Sequence, residues 1–315
     1  MTDEKDEDPC LTEDEGEDEG EDDVMVSDRV VTDAFDVGSP MDLQAAVEID
    51  QVAAIAKAAS WHQLSTLTTA QLGVVKELCV SVNQLSALPA DIIVQLRALT
   101  ALHVRGNNQL SALPAEIGQL AMLTALSVSK SQLLELPAEV GMLSSLMEMH
   151  LSGNQLMALP AEIGKLGSLT TMLVSRNQLK ALPAEIGQLG SLTELYASDN
   201  QLNALPAEIG QLDALTALGV SRNQLKALPA EIGQLGALTE LYASRNQLNA
   251  LPAEIGQLGS LMILGVGKNQ LIDLPAEICK LGALTELFVS RNPLRTPPFA
   301  VAIKGPTAVR DFFAR

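Results

Sequence analysis

The chain is 315 residues long with a net charge of −19, and almost all of that charge sits at one end. Residues 1–50 carry 20 acidic and 2 basic side chains, whereas residues 51–315 carry 19 and 18. The near-neutral remainder argues against nucleic acid as the main partner, which would require an excess of Lys and Arg. Three widely spaced cysteines, Cys10, Cys79 and Cys279, show neither metal nor disulfide spacing.

In chain order, residues 1–23 hold 14 acidic residues and a single Lys. Such a stretch repels itself and has little to bury, so an acidic tail over 1–36 is expected to stay disordered. Ser39-Pro40-Met41-Asp42 reads as a helix start, with Ser at the cap and Pro at the first position. Ala45, Ile49, Val52, Ala56 and Ala59 then share one face, which predicts a helix near 40–59. Leu67 to Val74 looks like the degenerate second half of a repeat. Residues 37–74 are therefore expected to form a helical N-terminal cap over an open apolar end.

A repeated unit follows, clearest at Leu192–Ala214, LTELYASDNQLNALPAEIGQLDA, which returns 46 residues later as Leu238–Ser260. Ten units start at Val75, Leu99, Leu123, Leu146, Leu169, Leu192, Leu215, Leu238, Leu261 and Leu284. Most are 23 residues long; the first two have 24, with an extra residue near Val94 and an extra Asn at 107–108. Within a unit, apolar residues fall at positions 1, 4, 6, 11, 14, 18 and 21, with Asn at 9 and Pro at 15. Positions 3 to 7 alternate with the period of a strand buried on one face. Positions 15 to 21, PAEIGQL, change rhythm and predict a short helical or 3₁₀ turn that Pro begins. One unit cannot bury its own apolar side chains, but stacked units can. The Asn recurs at one register (Asn83, Asn107, Asn154, Asn177, Asn200, Asn223, Asn246, Asn269, Asn292), which predicts a buried ladder bonded to backbone. Ser131 takes its place in the third unit. The last unit departs at Asn292-Pro293-Leu294 and ends in an apolar stretch with Val309, Phe312 and Phe313.

The pattern L-x-x-L-x-L-x-x-N-x-L, with its LP-x-x-I-x-x-L second half, resembles the intracellular leucine-rich repeat proteins of the Ras-suppressor-like and Scribble-like class. The resemblance implies an α/β fold: a right-handed solenoid, or horseshoe, with a parallel concave sheet and short convex helical turns. It implies a solenoid over 75–306 and a C-terminal cap over 307–315. The cysteine-rich caps of extracellular members are absent. So are Asn-x-Ser/Thr sequons, an apolar leader and an apolar run long enough to span a membrane. A cytoplasmic monomer is expected.

No catalytic, cofactor or metal constellation stands out. His103 and His150 share position 5 but are two strands apart, roughly 10 Å, which is too far for a clean zinc site. Phosphate-binding and nucleophile-elbow glycine motifs are missing. The position-19 glycines, Gly187, Gly210 and Gly233 among them, are expected to let the backbone bend. The position-17 glutamates, such as Glu185, Glu208 and Glu231, read as a solvated convex row.

The outward strand positions, taken as 3, 5, 7 and 8, are where recognition can vary without disturbing the skeleton. Positions 3 and 5 alternate along the second half: Glu194/Tyr196, Ala217/Gly219, Glu240/Tyr242, Ile263/Gly265 and Glu286/Phe288. Position 8 is mostly basic, with Arg176, Arg222, Arg245, Lys268 and Arg291 interrupted by Asp199. Exposed rings separated by glycine slots and bordered by cations predict a protein-binding surface. It comprises Glu194, Tyr196, Gly219, Arg222, Glu240, Tyr242, Arg245, Gly265, Glu286, Phe288 and Arg291. The expectation is a non-enzymatic, cofactor-free scaffold that binds a partner protein. The resemblance places such a partner in small-GTPase or phosphatase signalling. Two alternatives stand beside it: the recognition module of a signalling kinase or ubiquitin ligase, and an inhibitory protein acting through its acidic tail.

Overall fold

A computed structural model describes residues 67–81, 86–106 and 109–314. The acidic tail, the helix expected over 40–59, Asn83 and Asn107 all lie outside those residues. The described chain is a solenoid of repeated strand-and-turn units. Ten parallel strands form one sheet in strict chain order: β1 Glu77–Ser81, β2 Ala101–Arg105, β3 Ala125–Ser129, β4 Glu148–His150, β5 Thr171–Leu173, β6 Glu194–Tyr196, β7 Ala217–Gly219, β8 Glu240–Tyr242, β9 Ile263–Gly265 and β10 Glu286–Phe288. Each residue pairs with its equivalent in the next unit, as Tyr196 with Gly219 and Gly219 with Tyr242. A repeat of constant length makes that register unavoidable, because a one-residue slip would turn every leucine outward.

The core is the stack of repeated leucines. In the unit from Leu192, the side chains of Leu192, Leu195, Leu202, Ile209 and Leu212 are fully buried. Positions 16 to 20 form 3₁₀ turns, eight of them from Ala115–Gln119 to Ala276–Lys280. Pro206 does not begin its turn as the sequence suggests. It stands at the cap in extended backbone (φ −66°, ψ 149°), and the turn starts at Ala207. The extra residue of the first unit converts its turn to an α-helical one, α2 Ala90–Ile93, which buries both Ile92 and Ile93.

Two polar ladders tie the units together. Asn200 is representative of the first: its Nδ2 donates to the carbonyls of Val174 (3.0 Å), Ala197 (3.1 Å) and Ser198 (3.2 Å), and its Oδ1 accepts from the Leu179 amide (3.0 Å). The same pattern, with small variations, runs from Asn154 to Asn292. Ser131 is too short for it, and its hydroxyl donates only within its own unit, to Ser129 O at 3.4 Å. The second ladder uses threonine at position 2. Thr193, Thr216 and Thr239 each donate from Oγ1 to the position-2 carbonyl of the preceding unit at 2.9–3.0 Å.

The position-19 glycines serve close approach rather than bending. A Cβ at Gly187, Gly210 or Gly233 would lie 2.5 Å from the carbonyl oxygen of Glu208, Glu231 or Glu254 in the next unit. Cys279 occupies this position in the ninth unit, beside the final helices instead of another such turn. At the start of the described chain, helix α1, Thr69–Leu72, carries a capping box between Thr68 and Gln71 and buries Leu72. The other end is covered by α3, Phe299–Ala302, and α4, Pro306–Phe313. Val309 is buried, Arg310 Nη2 donates to Leu284 O at 2.7 Å, and Phe312 meets Phe313 edge to face at 5.3 Å.

Candidate protein-binding surface

Position 5 faces out from the concave side of every strand. Read across the register it runs Cys79, His103, Ser127, His150, Leu173, Tyr196, Gly219, Tyr242, Gly265 and Phe288. The sheet therefore brings Tyr196, Tyr242 and Phe288 onto every second strand, with Glu194, Glu240 and Glu286 two residues before each ring.

The glycine slots are not open. The Tyr196 ring leans over Gly219, so that a Cβ there would sit 2.5 Å from Tyr196 Cδ1. Tyr242 leans the same way over Gly265, with a corresponding separation of 3.4 Å. Both tyrosines are consequently half-buried, and Gly219 and Gly265 are buried beneath them. All three residues of β7, Ala217 included, are covered. The expected exposed rings separated by empty slots are instead a row of tilted rings roofing the small residues. Phe288, on the last strand, has no following glycine to lean on and is 38% exposed.

Tyr242 is held on its second side as well. Its hydroxyl donates to Glu240 Oε2 at 3.2 Å. Burial of the ring, then the charge and hydrogen bond of Glu240, push its pKa well above the ordinary tyrosine value. The phenol thus remains a neutral donor across the physiological range. Glu194 and Glu286 are exposed, whereas Glu240 is half-buried beside its tyrosine.

Position 8 is not part of the strand, contrary to the sequence reading. The strands from β4 onward end at position 5, and position 8 falls in a left-handed bend. Lys130, Arg176, Asp199, Arg222, Arg245, Lys268 and Arg291 all have φ between 51° and 57°, and Gly153 stands in the same place with φ 73°. Arg222, Arg245 and Arg291 therefore project from the flank where the chain leaves the sheet. Asp199 does more than interrupt the row: its Oδ1 lies 3.5 Å from Arg222 Nη1.

His103 and His150 lie on β2 and β4, with Ser127 of β3 between them. His150 Nε2 is 4.0 Å from Glu148 Oε2. Among the described residues no group of three or more His, Cys, Asp or Glu side chains could hold a metal ion. Among them no helix is long and apolar enough to cross a membrane. The tilt of the tyrosines was not readable from spacing, although alternation of Tyr with Gly at one position was its signal. Recurrence of Thr at position 2 was likewise the unused signal of the second ladder.

Residues 144–202 match the family model for the leucine rich repeat. No curated protein sequence matches the chain. Solved structures do resemble it. A leucine-rich repeat protein of Leptospira interrogans is 32% identical over 78% of this chain and 79% of its own, with a TM-score of 0.41. The plant peptide hormone receptor RGFR1, in complex with RGF2, is 26% identical over 71% of this chain, with a TM-score of 0.55. This chain spans only 45% of that receptor's length. A plant ice-binding protein is 28% identical over 69% of this chain and 72% of its own, with a TM-score of 0.56.

Proposed function

The chain belongs to the leucine-rich repeat family, and we propose that it is a non-enzymatic scaffold that binds a partner protein on the concave face of its second half. The alternation of Tyr196, Tyr242 and Phe288 with small residues carries the reading. These rings are the aromatic anchors on a face whose other outward side chains in the second half are mostly small, and each has a carboxylate two residues before it. Partly exposed aromatic side chains next to charged groups are the material of interface hot spots. The likeness to a peptide hormone receptor solved with its ligand supports a polypeptide partner over a small molecule.

The partner we propose is an intracellular signalling protein of a small-GTPase or phosphatase pathway, met by a monomer in the cytoplasm. The LP-x-x-I-x-x-L half of most units, three cysteines without disulfide or metal spacing and the lack of sequons support that setting. The test is affinity capture from the source cell with the full chain, followed by titration of the captured protein. Tyr196→Ala/Tyr242→Ala should weaken binding by about 2 kcal/mol or more, roughly thirtyfold, with the fold intact. Equal affinity for native and variant chains would remove this surface from consideration.

A further inference from the structure

The ring-and-carboxylate pattern of the concave face does not begin at Tyr196. Strand β4 already carries it, with Glu148 at position 3 and His150 at position 5. In-register pairing therefore sets one acid and one ring on each of β4, β6, β8 and β10. The strands between them are uncharged at the same two positions: Thr171 and Leu173 on β5, Ala217 and Gly219 on β7, Ile263 and Gly265 on β9. Across β4 to β10, positions 3 and 5 thus hold four carboxylates and no Lys or Arg. Glu148, Glu194 and Glu286 are exposed. Glu240 is half-buried, and the hydrogen bond it accepts from Tyr242 engages one of its two oxygens. The basic residues of position 8 lie five residues beyond the acids, up to about 16 Å along the chain, on the flank where it leaves the sheet.

A row of this kind is complemented by cations at its own interval. Two strand spacings put successive pairs about 9.6 Å apart. An extended β chain returns a side chain to one face every ~6.7 or ~13 Å and misses that interval. An α-helix returns after seven residues, at about 10.5 Å, and drifts by nearly 3 Å over the three steps. A polyproline-II chain has three residues per turn and rises about 3.1 Å per residue, so every third side chain shares one face at about 9.3 Å. Over the whole row it stays within about 1 Å of register. Within a pair, acid and ring are about 6.7 Å apart along the strand, so one Lys or Arg can meet the carboxylate while its stem or guanidinium covers the ring. On the reading that the concave face is the binding surface, on which this inference rests, we propose the chemistry of its occupant. Strands β4 to β10 take a polyproline-II segment of the partner, about ten residues long, with Lys or Arg at every third position and uncharged residues between.

Two fluorescein-labelled peptides with four arginines each test it, by anisotropy against the full chain at ~0.1 M salt. One repeats Arg-Pro-Pro; the other has the same composition with its arginines together. The 14 acidic residues of positions 1–23 attract basic peptides whatever their spacing, so the readout is the ratio of the two affinities. The spaced peptide should bind about tenfold tighter or better, since avidity is gained only where geometry lets all the cations engage at once. Glu194→Gln/Glu240→Gln/Glu286→Gln, its fold checked by thermal melt, should bring the ratio to about one. Glu185→Gln/Glu208→Gln/Glu231→Gln removes as much charge from the convex row and should leave the ratio in place. A ratio near one for the native chain, one that survives the concave substitutions, or one that falls equally with the convex ones would overturn the inference. Tyr196→Ala/Tyr242→Ala separates the occupant from the face. If that variant weakens the captured partner while the two peptides bind alike, the face stands and its basic polyproline-II occupant is overturned. If the captured partner binds the variant as it binds the native chain, the face fails and the occupant with it.

Discussion

Tyr196 covers Gly219 so closely that a Cβ on the glycine would come within 2.5 Å of the ring. The equivalent separation for Tyr242 and Gly265 is 3.4 Å, ordinary contact with slight crowding. Both pairs follow from one fact of parallel sheets: a large side chain on one strand leans into whatever space its neighbour at the same register leaves. Gly219→Ala should therefore tip the Tyr196 ring away from the sheet, and Gly265→Ala should move Tyr242 far less. Near-ultraviolet circular dichroism of the two variants measures this, and equal spectral changes would contradict the difference in packing. The stability cost should be small, about 1 kcal/mol or less, because a surface ring can move.

The alkaline titration of Tyr242 follows from its burial and from Glu240. A tyrosine whose folded-state pKa is raised keeps its proton more tightly folded than unfolded. The stability it contributes is whole below the unfolded value, about 10, and is lost as pH rises through the folded one. In a Tyr196→Phe background, phenolate absorbance should appear only at higher pH than for a free tyrosine, and the fold should weaken over that range. Glu240→Gln should bring the titration part of the way down, since burial, the larger cause, remains. A normal phenol titration in the folded protein would mean the ring is solvated.

The sequence made the skeleton legible because each of its rules repeats. Strand, turn and ladder positions recur at one register, so a single misreading would have had to recur ten times. What escaped was any feature that lives between units rather than within one. The glycine of position 19 looks like a flexible joint in a single unit; only the stack puts the Glu231 carbonyl against Gly210. The lean of Tyr196 depends on a residue 23 places on. The left-handed bend was hidden for another reason. Arg and Lys are poor markers of positive φ, and only Gly106 and Gly153 at the equivalent positions betrayed it.

The bend itself is testable. Arg176 sits at φ 55°, where a side chain with a Cβ costs about 1–2 kcal/mol and a β-branched one more. Arg176→Gly removes that cost but adds unfolded-state entropy of about 0.5–1 kcal/mol, so its denaturation midpoint should be at or slightly above the native one. Arg176→Val should lower the midpoint clearly. The reverse order would show that the unit does not bend there.

Gly210→Ala and Gly190→Ala separate the two kinds of glycine in the repeat. At Gly210 the new methyl group meets the Glu231 backbone at 2.5 Å, and backbone cannot swing aside. Nothing lies within 4 Å of the Cβ position of Gly190. The first substitution should cost on the order of 1–3 kcal/mol. The second should fall within about 0.5 kcal/mol of the native protein, as surface changes commonly do. Urea denaturation of both variants gives the comparison, and a Gly210→Ala protein as stable as the native one would show that the turns are spaced more loosely.

Asn223 makes four hydrogen bonds, and its removal should reveal which of them matters. Nδ2 donates to the carbonyls of Ala197, Val220 and Ser221, and Oδ1 accepts from the Leu202 amide at 3.0 Å. The carbonyl side has a reserve: Ala197 O also receives Asn200, and Val220 O also receives Asn246. The Leu202 amide has a single hydrogen to donate, and the acceptor it meets in the ladder is Asn223 Oδ1. Asn223→Ala should therefore cost on the order of 1–3 kcal/mol, the penalty of a buried unsatisfied donor. Asn223→Ser should not rescue it, because the hydroxyl is as short as that of Ser131, which bonds only within its own unit. The converse substitution, Ser131→Asn, should stabilise the early units by about 1 kcal/mol by supplying the missing rung. Urea midpoints of the three variants decide the matter. If Asn223→Ala left the midpoint in place, the ladder would be ornament, and the threonine bonds and leucine stack alone would hold the units together.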